Sequence, residues 1–217
     1  MNLDSSSRAD KVTGVRVAKL GGSLLSLTGF AARLENCLNE ANQRNPLPTI
    51  LMVGGGGLID AVRELDALHG FNARQVHHEC IGLLSCTARL TRQLLPTFEY
   101  LVGEEQIQRF VRESTSHPGR NAIVDVERAM PFITREVQLP EDWSTTTDAL
   151  SAALAIAANA QELLILKSAE PPVELAKKGD DKRAWLDALA AAGYIDQSLP
   201  ALAASLPCIQ FKNLRRL

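Results

Sequence analysis

Short apolar runs of strand length alternate with helix-period stretches along most of this 217-residue chain, and that alternation limits the fold to a mainly parallel sheet flanked by helices. Strands are expected near 15–20, 49–53, 97–102, 121–126, 162–167 and 207–211. Helices are expected over 29–43, 58–69, 77–95, 104–113, 147–160 and 182–192. The class is therefore α/β. Pro46 and Pro48 punctuate the entry to the second strand, and Pro171-Pro172 end the segment after the fifth. The stretches 114–121 and 134–146 read as loops, either of which can act as a lid. The length fits one domain over 15–217, preceded by a flexible polar segment over 1–14.

Within this framework two glycine clusters stand at strand-to-helix junctions: Lys19-Leu20-Gly21-Gly22-Ser23 and Gly54-Gly55-Gly56-Gly57. Glycine lets main-chain N–H groups approach an anion closely, and a following helix start adds unpaired donors and a positive dipole end. Each cluster alone reads most simply as a tight turn without a ligand. Two after two strands point to a pair of phosphate cradles. The first carries Lys19, whose ammonium can neutralise a phosphate oxygen. The second has no lysine and leads into Leu58, Ile59, Val62, Leu65 and Leu68, an apolar helical stripe. Neither cluster is a Walker loop, and neither completes the dinucleotide fingerprint.

Composition removes several function classes. The net charge is −2 with dispersed basic residues, so nucleic acid is not an expected partner. Cys37, Cys80, Cys86 and Cys208 show no metal-ligand spacing and no disulfide framework, which favours reduced thiols and no protein-held metal. The N-terminus lacks an apolar leader, and Asn159, Gln161 and Glu162 interrupt the Ala-rich stretch 149–166. The expectation is a cytoplasmic protein that does not enter membranes.

The segment Trp143-Ser144-Thr145-Thr146-Thr147-Asp148 falls at a helix start, where Thr146 or Thr147 is expected to cap free N–H groups. Asp148, just inside that helix, is placed to orient Lys19 through a charge-assisted hydrogen bond. Of His77 and His78, one faces the apolar side of its helix, and His78 is the candidate for contact with a substrate. Trp143 and Trp185 read as core or interface anchors, with Trp143 also positioned to cover a ring.

Three blocks together resemble the amino acid kinase family: Val17-Ala18-Lys19-Leu20-Gly21-Gly22-Ser23, Val53-Gly54-Gly55-Gly56-Gly57, and Thr147-Asp148-Ala149-Leu150 ahead of Leu163-Leu164-Ile165-Leu166. The resemblance implies a three-layer α-β-α sandwich, ATP as donor, Mg²⁺ bound with the nucleotide, and a homo-oligomer. It implies in-line transfer to a small-molecule substrate without a covalent enzyme intermediate. The segments His78-Glu79-Cys80-Ile81 and Leu139 through Asp148 are similar to an archaeal branch that phosphorylates an aminomethylfuran phosphate, and to bacterial relatives linked to tetrahydromethanopterin. Two departures stand out. The family's Thr-Asp-Val-Asp-Gly after the fifth strand is replaced by Lys167-Ser168-Ala169-Glu170-Pro171-Pro172, and the chain lacks the family's final strands.

On this reading Lys19 and Asp148 are the catalytic pair, Gly21, Gly22, Ser23 and Lys167 hold the donor phosphates, and Gly54, Gly55, Gly56, Gly57, His78 and Thr147 hold the acceptor. Lys167 takes the place of a second phosphate-facing lysine that the family carries later in the chain. A non-catalytic nucleotide or anion sensor, or an oligomeric scaffold on the same fold, are the competing classes.

Overall fold

Six segments rich in β-branched and aliphatic residues form the sheet: β1 (Arg16–Leu20), β2 (Thr49–Val53), β3 (Glu99–Leu101), β4 (Asn121–Val124), β5 (Glu162–Lys167) and β6 (Cys208–Asn213). In the computed structural model, which describes residues 14–114, 117, 119–176 and 179–216, all neighbours pair parallel in the order β3-β4-β2-β1-β5-β6. The flexible segment expected over 1–14 lies outside the described residues except for Gly14, as do positions 115, 116 and 118 of the first loop.

Among the described residues seven α-helices join the strands: α1 (Phe30–Arg44), α2 (Gly57–His69), α3 (Ala73–Leu94), α4 (Gly103–Arg112), α5 (Val126–Ile133), α6 (Thr147–Ala157) and α7 (Lys182–Ala191). The sheet separates two apolar clusters, because successive strand residues point to opposite faces. Val17, Ile50, Met52, Leu163 and Ile165 pack toward α4, α5, α6 and α7. Ala18, Leu51, Val53, Leu164 and Leu166 pack toward α1. Helices therefore cover both faces, giving the three layers that the resemblance implied. Every residue of β1 and β2 is buried, as strands covered on both faces must be. Truncating one of them, as in Leu51→Ala, leaves a cavity costing about 2–5 kcal/mol.

Several bounds differ from expectation, and one helix was not foreseen. The α3 helix starts before 77 because the Asn72 side chain accepts a hydrogen bond from the Gln75 amide and caps it. The strand expected to reach 126 stops at Val124, where Asp125 caps the unforeseen α5 by accepting from the Arg128 amide at 3.2 Å. Pro131 hides α5 in the sequence, since proline late in a short run reads as a breaker. No described helix is long and apolar enough to cross a membrane.

Candidate active site

The parallel sheet puts the carboxyl ends of β1, β2 and β5 at one edge, where ligands gather in open α/β folds. β1 ends in Lys19-Leu20, and the chain stays tied to its neighbours: the Gly21 amide donates to the Leu166 carbonyl at 2.9 Å, and the Gly54 amide to the Leu20 carbonyl at 2.9 Å. Beyond these bonds the two glycine turns touch. A Cβ on Gly22 would stand 2.1 Å from the Gly56 nitrogen, which excludes any side chain there. Gly56 itself has φ +56°, and an added Cβ would lie 2.7 Å from the Gly22 carbonyl oxygen. The pair of cradles expected from the sequence thus forms one continuous floor, with backbone packed on backbone. The α2 helix rises from this floor with Gly56 at its N-cap and no side-chain cap; the Ile59 amide donates to the Gly56 carbonyl at 3.0 Å, and the Gly57 and Leu58 amides stand ahead of the helical ladder.

Lys19 is almost fully buried, and its Nζ lies 2.8 Å from Asp148 Oδ1. This is the pairing the sequence suggested. The other carboxylate oxygen, Oδ2, accepts from Lys167 Nζ at 2.5 Å. Two ammonium groups therefore share one carboxylate that is only 3% exposed. Burial pushes the Asp148 carboxyl up, but the charges of Lys19 and Lys167 outweigh it and hold the group below the ordinary aspartate value. For Lys167 the balance goes the other way. Burial, followed by repulsion from Lys19, lowers its pKa despite the bond to Asp148. The cluster carries one more positive than negative charge among its three members. Lys167 also sits 5.3 Å above the Tyr194 ring, whose hydroxyl donates to the Ala169 carbonyl at 3.1 Å.

Asp148 is presented by the first turn of α6, and neither Thr146 nor Thr147 caps that helix with its hydroxyl as expected. Asp196, far along the chain, does so. Its Oδ2 accepts from the Thr146 and Ala149 amides at 2.8 and 2.9 Å, and its Oδ1 accepts from the Thr146 hydroxyl at 2.5 Å. Burial, then the Asp148 charge, raises the Asp196 pKa. Ser23 Oγ donates to Ser168 Oγ at 2.9 Å, linking the first glycine turn to the segment after β5.

A pocket enclosing about 790 Å³, mouth included, opens beside Lys19, Gly22, Ser23, Gly55, Gly56 and Thr147. Ile59, Ile81, Leu84 and Leu150 give it an apolar wall; Arg63, His77, Asp142 and Trp143 give it a polar one. Gly21, Gly54 and Gly57 support the turns without lining it, and of the charged cluster only Lys19 lines it, with Asp148 and Lys167 behind. His78 is outside: its side chain is exposed, with Nε2 3.4 Å from a Glu141 carboxylate oxygen. His77 takes the position reserved for it. It is buried and hydrogen-bonded to the Asp142 backbone, and burial is the main cause of its lowered pKa. The Trp143 indole N–H donates to Asp66 Oδ2 at 2.6 Å, and the Arg63 guanidinium lies 4.8 Å from the centre of the indole ring. Sequence reasoning missed Arg63, Asp66 and Asp196. A polar helix position such as Arg63, which occurs within an apolar stripe, was the available signal.

Among the described residues no group of three or more His, Cys, Asp or Glu side chains could hold a metal ion, and the buried Asp148 carboxylate is occupied by two lysines. Mg²⁺ fits this edge only as the companion of a polyphosphate, since it keeps waters and phosphate oxygens in preference to protein cages.

The sequence matches no curated protein. Similar folds are known: a uridylate kinase from Archaeoglobus fulgidus superposes with a TM-score of 0.61 at 16% identity, covering 93% of this chain and 92% of that one. A UMP kinase from Ureaplasma parvum gives 0.59 at 13% identity over 94% and 91% of the two chains. The family model described as the amino acid kinase family matches residues 14–171, from the start of β1 through the segment that follows β5, and on that match the chain belongs to the amino acid kinase family.

Proposed function

We propose that this chain transfers a phosphoryl group from ATP to a small metabolite. The observation that carries the reading is the Lys19–Asp148–Lys167 cluster: two cations on one buried carboxylate, beside a pocket floored by two glycine turns. Phosphoryl transfer asks for alignment and for positive charge where the equatorial oxygens develop it. Lys19 and the Gly22 amide, with Ser23, would hold the donor phosphates, while Gly21 supports the turn and Lys167 acts through Asp148. Gly54 to Gly57 and Thr147 would form the acceptor's side, with His77 in the place expected of His78. Asp148 holds both lysines in position. The chemistry that nucleotide-bound Mg²⁺ supplies is neutralisation of charge on the donor phosphates.

The acceptor in this reading is a phosphomonoester of the aminomethylfuran phosphate type. A phosphate oxyanion is nucleophilic at neutral pH without a base, so this acceptor asks no proton abstraction of the His77 and Asp142 side chains that line the pocket. We also propose a homo-oligomer assembled through α2, because no residue of that helix is buried and Leu65, Leu68 and Phe71 are exposed beside it. Leu68→Glu should lower the mass seen by sedimentation; an unchanged mass counts against this interface.

The function is tested by incubating the chain with γ-labelled Mg-ATP and a panel of phosphomonoesters, carboxylates and amines. Label is expected in the diphosphate ester formed when a phosphomonoester's oxygen takes the γ-phosphoryl group and ADP leaves. Label in none of them, together with no thermal stabilisation by millimolar Mg-ATP, would overturn the reading, since a ligand of the native state must raise its stability.

A further inference from the structure

The pocket carries charge of both signs in two separate places. Lys19 is the positive part, beside the glycine turns, and Asp142, on the loop between α5 and α6, brings a negative charge to the same wall. Asp142 Oδ1 accepts from the Ser144 hydroxyl at 2.5 Å and from the Ser144 amide at 2.8 Å. Those bonds, the hydroxyl's first, hold the carboxyl below the ordinary aspartate value and keep it ionised. Both fall on one oxygen, so Oδ2 is left for a partner. Among the described residues no lysine or arginine acts on Asp142 by charge, and His77 is the group that does. Arg63, the other cation of the wall, lies on the Trp143 indole and is paired with Asp60. An anion on a partly enclosed wall attracts a cation more strongly than one in open water.

His77, only 8% exposed, lines the pocket beside it. One ring N–H donates to the Asp142 carbonyl, and burial favours the uncharged ring, whose other nitrogen is then an acceptor. Ile81 and Leu84 follow His77 at i+4 and i+7 on one face of α3, and both give the pocket apolar surface.

We propose that Asp142 and His77 bind a primary ammonium group of the acceptor, the carboxylate as counter-ion and the imidazole as a second hydrogen-bond acceptor. The acceptor's apolar body then lies along Ile81 and Leu84. The substrate class is a small ring-bearing primary amine that also carries the oxygen to be phosphorylated. This inference rests on the pocket being the acceptor site of the proposed phosphotransferase, and it states what that site selects besides the accepting oxygen.

Benzylamine, an ammonium at pH 8, is the probe, with benzyl alcohol as its uncharged counterpart. Both are titrated into the full chain without nucleotide and followed by ligand-detected NMR, which reads weak binding. Wild type should hold benzylamine about tenfold or more tighter than the alcohol, the size of a charge-assisted contact. Asp142→Asn keeps the shape and can still accept from Ser144, and it should lose that preference. His77→Phe should weaken both ligands by about two- to tenfold, since either can donate to the imidazole. Contacts from the benzylamine ring to the Ile81 and Leu84 methyl groups place it in wild type without any variant. Equal binding of amine and alcohol by wild type, an undiminished preference in Asp142→Asn, or ring contacts away from Ile81 and Leu84 would each overturn the proposal. Asp142-dependent benzylamine binding with no label transfer from ATP to any acceptor would sustain it and defeat the phosphotransferase reading alone.

Discussion

β1 carries a buried cation near each end, and the two are treated in opposite ways. Arg16, fully buried at the amino end, donates through Nε to Glu162 at 2.8 Å, through Nη1 to Asn42 and Thr49 at 2.8 and 3.3 Å, and through Nη2 to the Asn45 carbonyl at 3.0 Å. One cation meets one anion, and neutral acceptors take its remaining donors. Lys19, at the carboxyl end, shares the Asp148 carboxylate with Lys167, feels the Asp196 carboxylate behind it, and borders a pocket. The same strand, sheet and depth of burial thus hold a closed pair and an unbalanced one. A buried ion pair that satisfies itself is scaffolding. One that leaves positive charge facing a cavity is built for a ligand that will complete it, and perturbed ionisation of Asp148 and Lys167 fits that assignment.

Breaking the closed pair gives the largest effect on the fold. Arg16→Met leaves Glu162 buried and uncompensated, which should cost about 3–5 kcal/mol in urea unfolding. Activity per folded molecule should not change. A loss of activity at retained stability would erase the distinction between the two ends.

Asp196→Ala sharpens the comparison from the open end. Loss of the α6 cap should cost about 1–2 kcal/mol, or about 2–8 °C in Tm, and should also slow turnover, because the helix start it steadies carries Asp148. A full loss of stability with normal turnover would place Asp196 on the scaffold side.

Lys167→Met gives the smallest effect on stability and one of unusual sign. Burial and Lys19 hold the folded pKa of Lys167 below 10.5, so the unfolded chain binds that proton more tightly and the fold carries a penalty below the lowered value. The penalty fades as pH rises from there to 10.5. Lys167→Met should therefore melt no lower than wild type near pH 8, with wild type gaining on it toward alkaline pH, while turnover falls. The opposing titration of Tyr194, pushed up to about 12, cancels to first order between the two chains. A variant that melts lower at pH 8 would show Lys167 to be structural.

Much of this was legible in the residues. The strands announce themselves as aliphatic runs, and the glycine clusters, Lys19 and the Thr147-Asp148 helix start mark one edge because parallel strands end together there. What could not be read depends on distance along the chain. The cap from Asp196 joins residues with no local pattern between them, and the contact of Gly22 with Gly56 exists only once β1 and β2 are in register. The choice between His77 and His78 turns on one step of 100° around α3. Nothing local marks Arg16, whose role rests on its burial and on partners brought from α1, β2 and β5.

The most direct test is the rate of label transfer from γ-labelled Mg-ATP to the phosphomonoester found in the acceptor panel, measured for wild type and Lys19→Ala side by side with their melting curves. The account predicts a fall of about 10²–10³ in turnover, the loss typical of removing one electrostatic contact to the transition state, with the fold retained. A Lys19→Ala chain that melts normally and transfers label at the wild-type rate would contradict it.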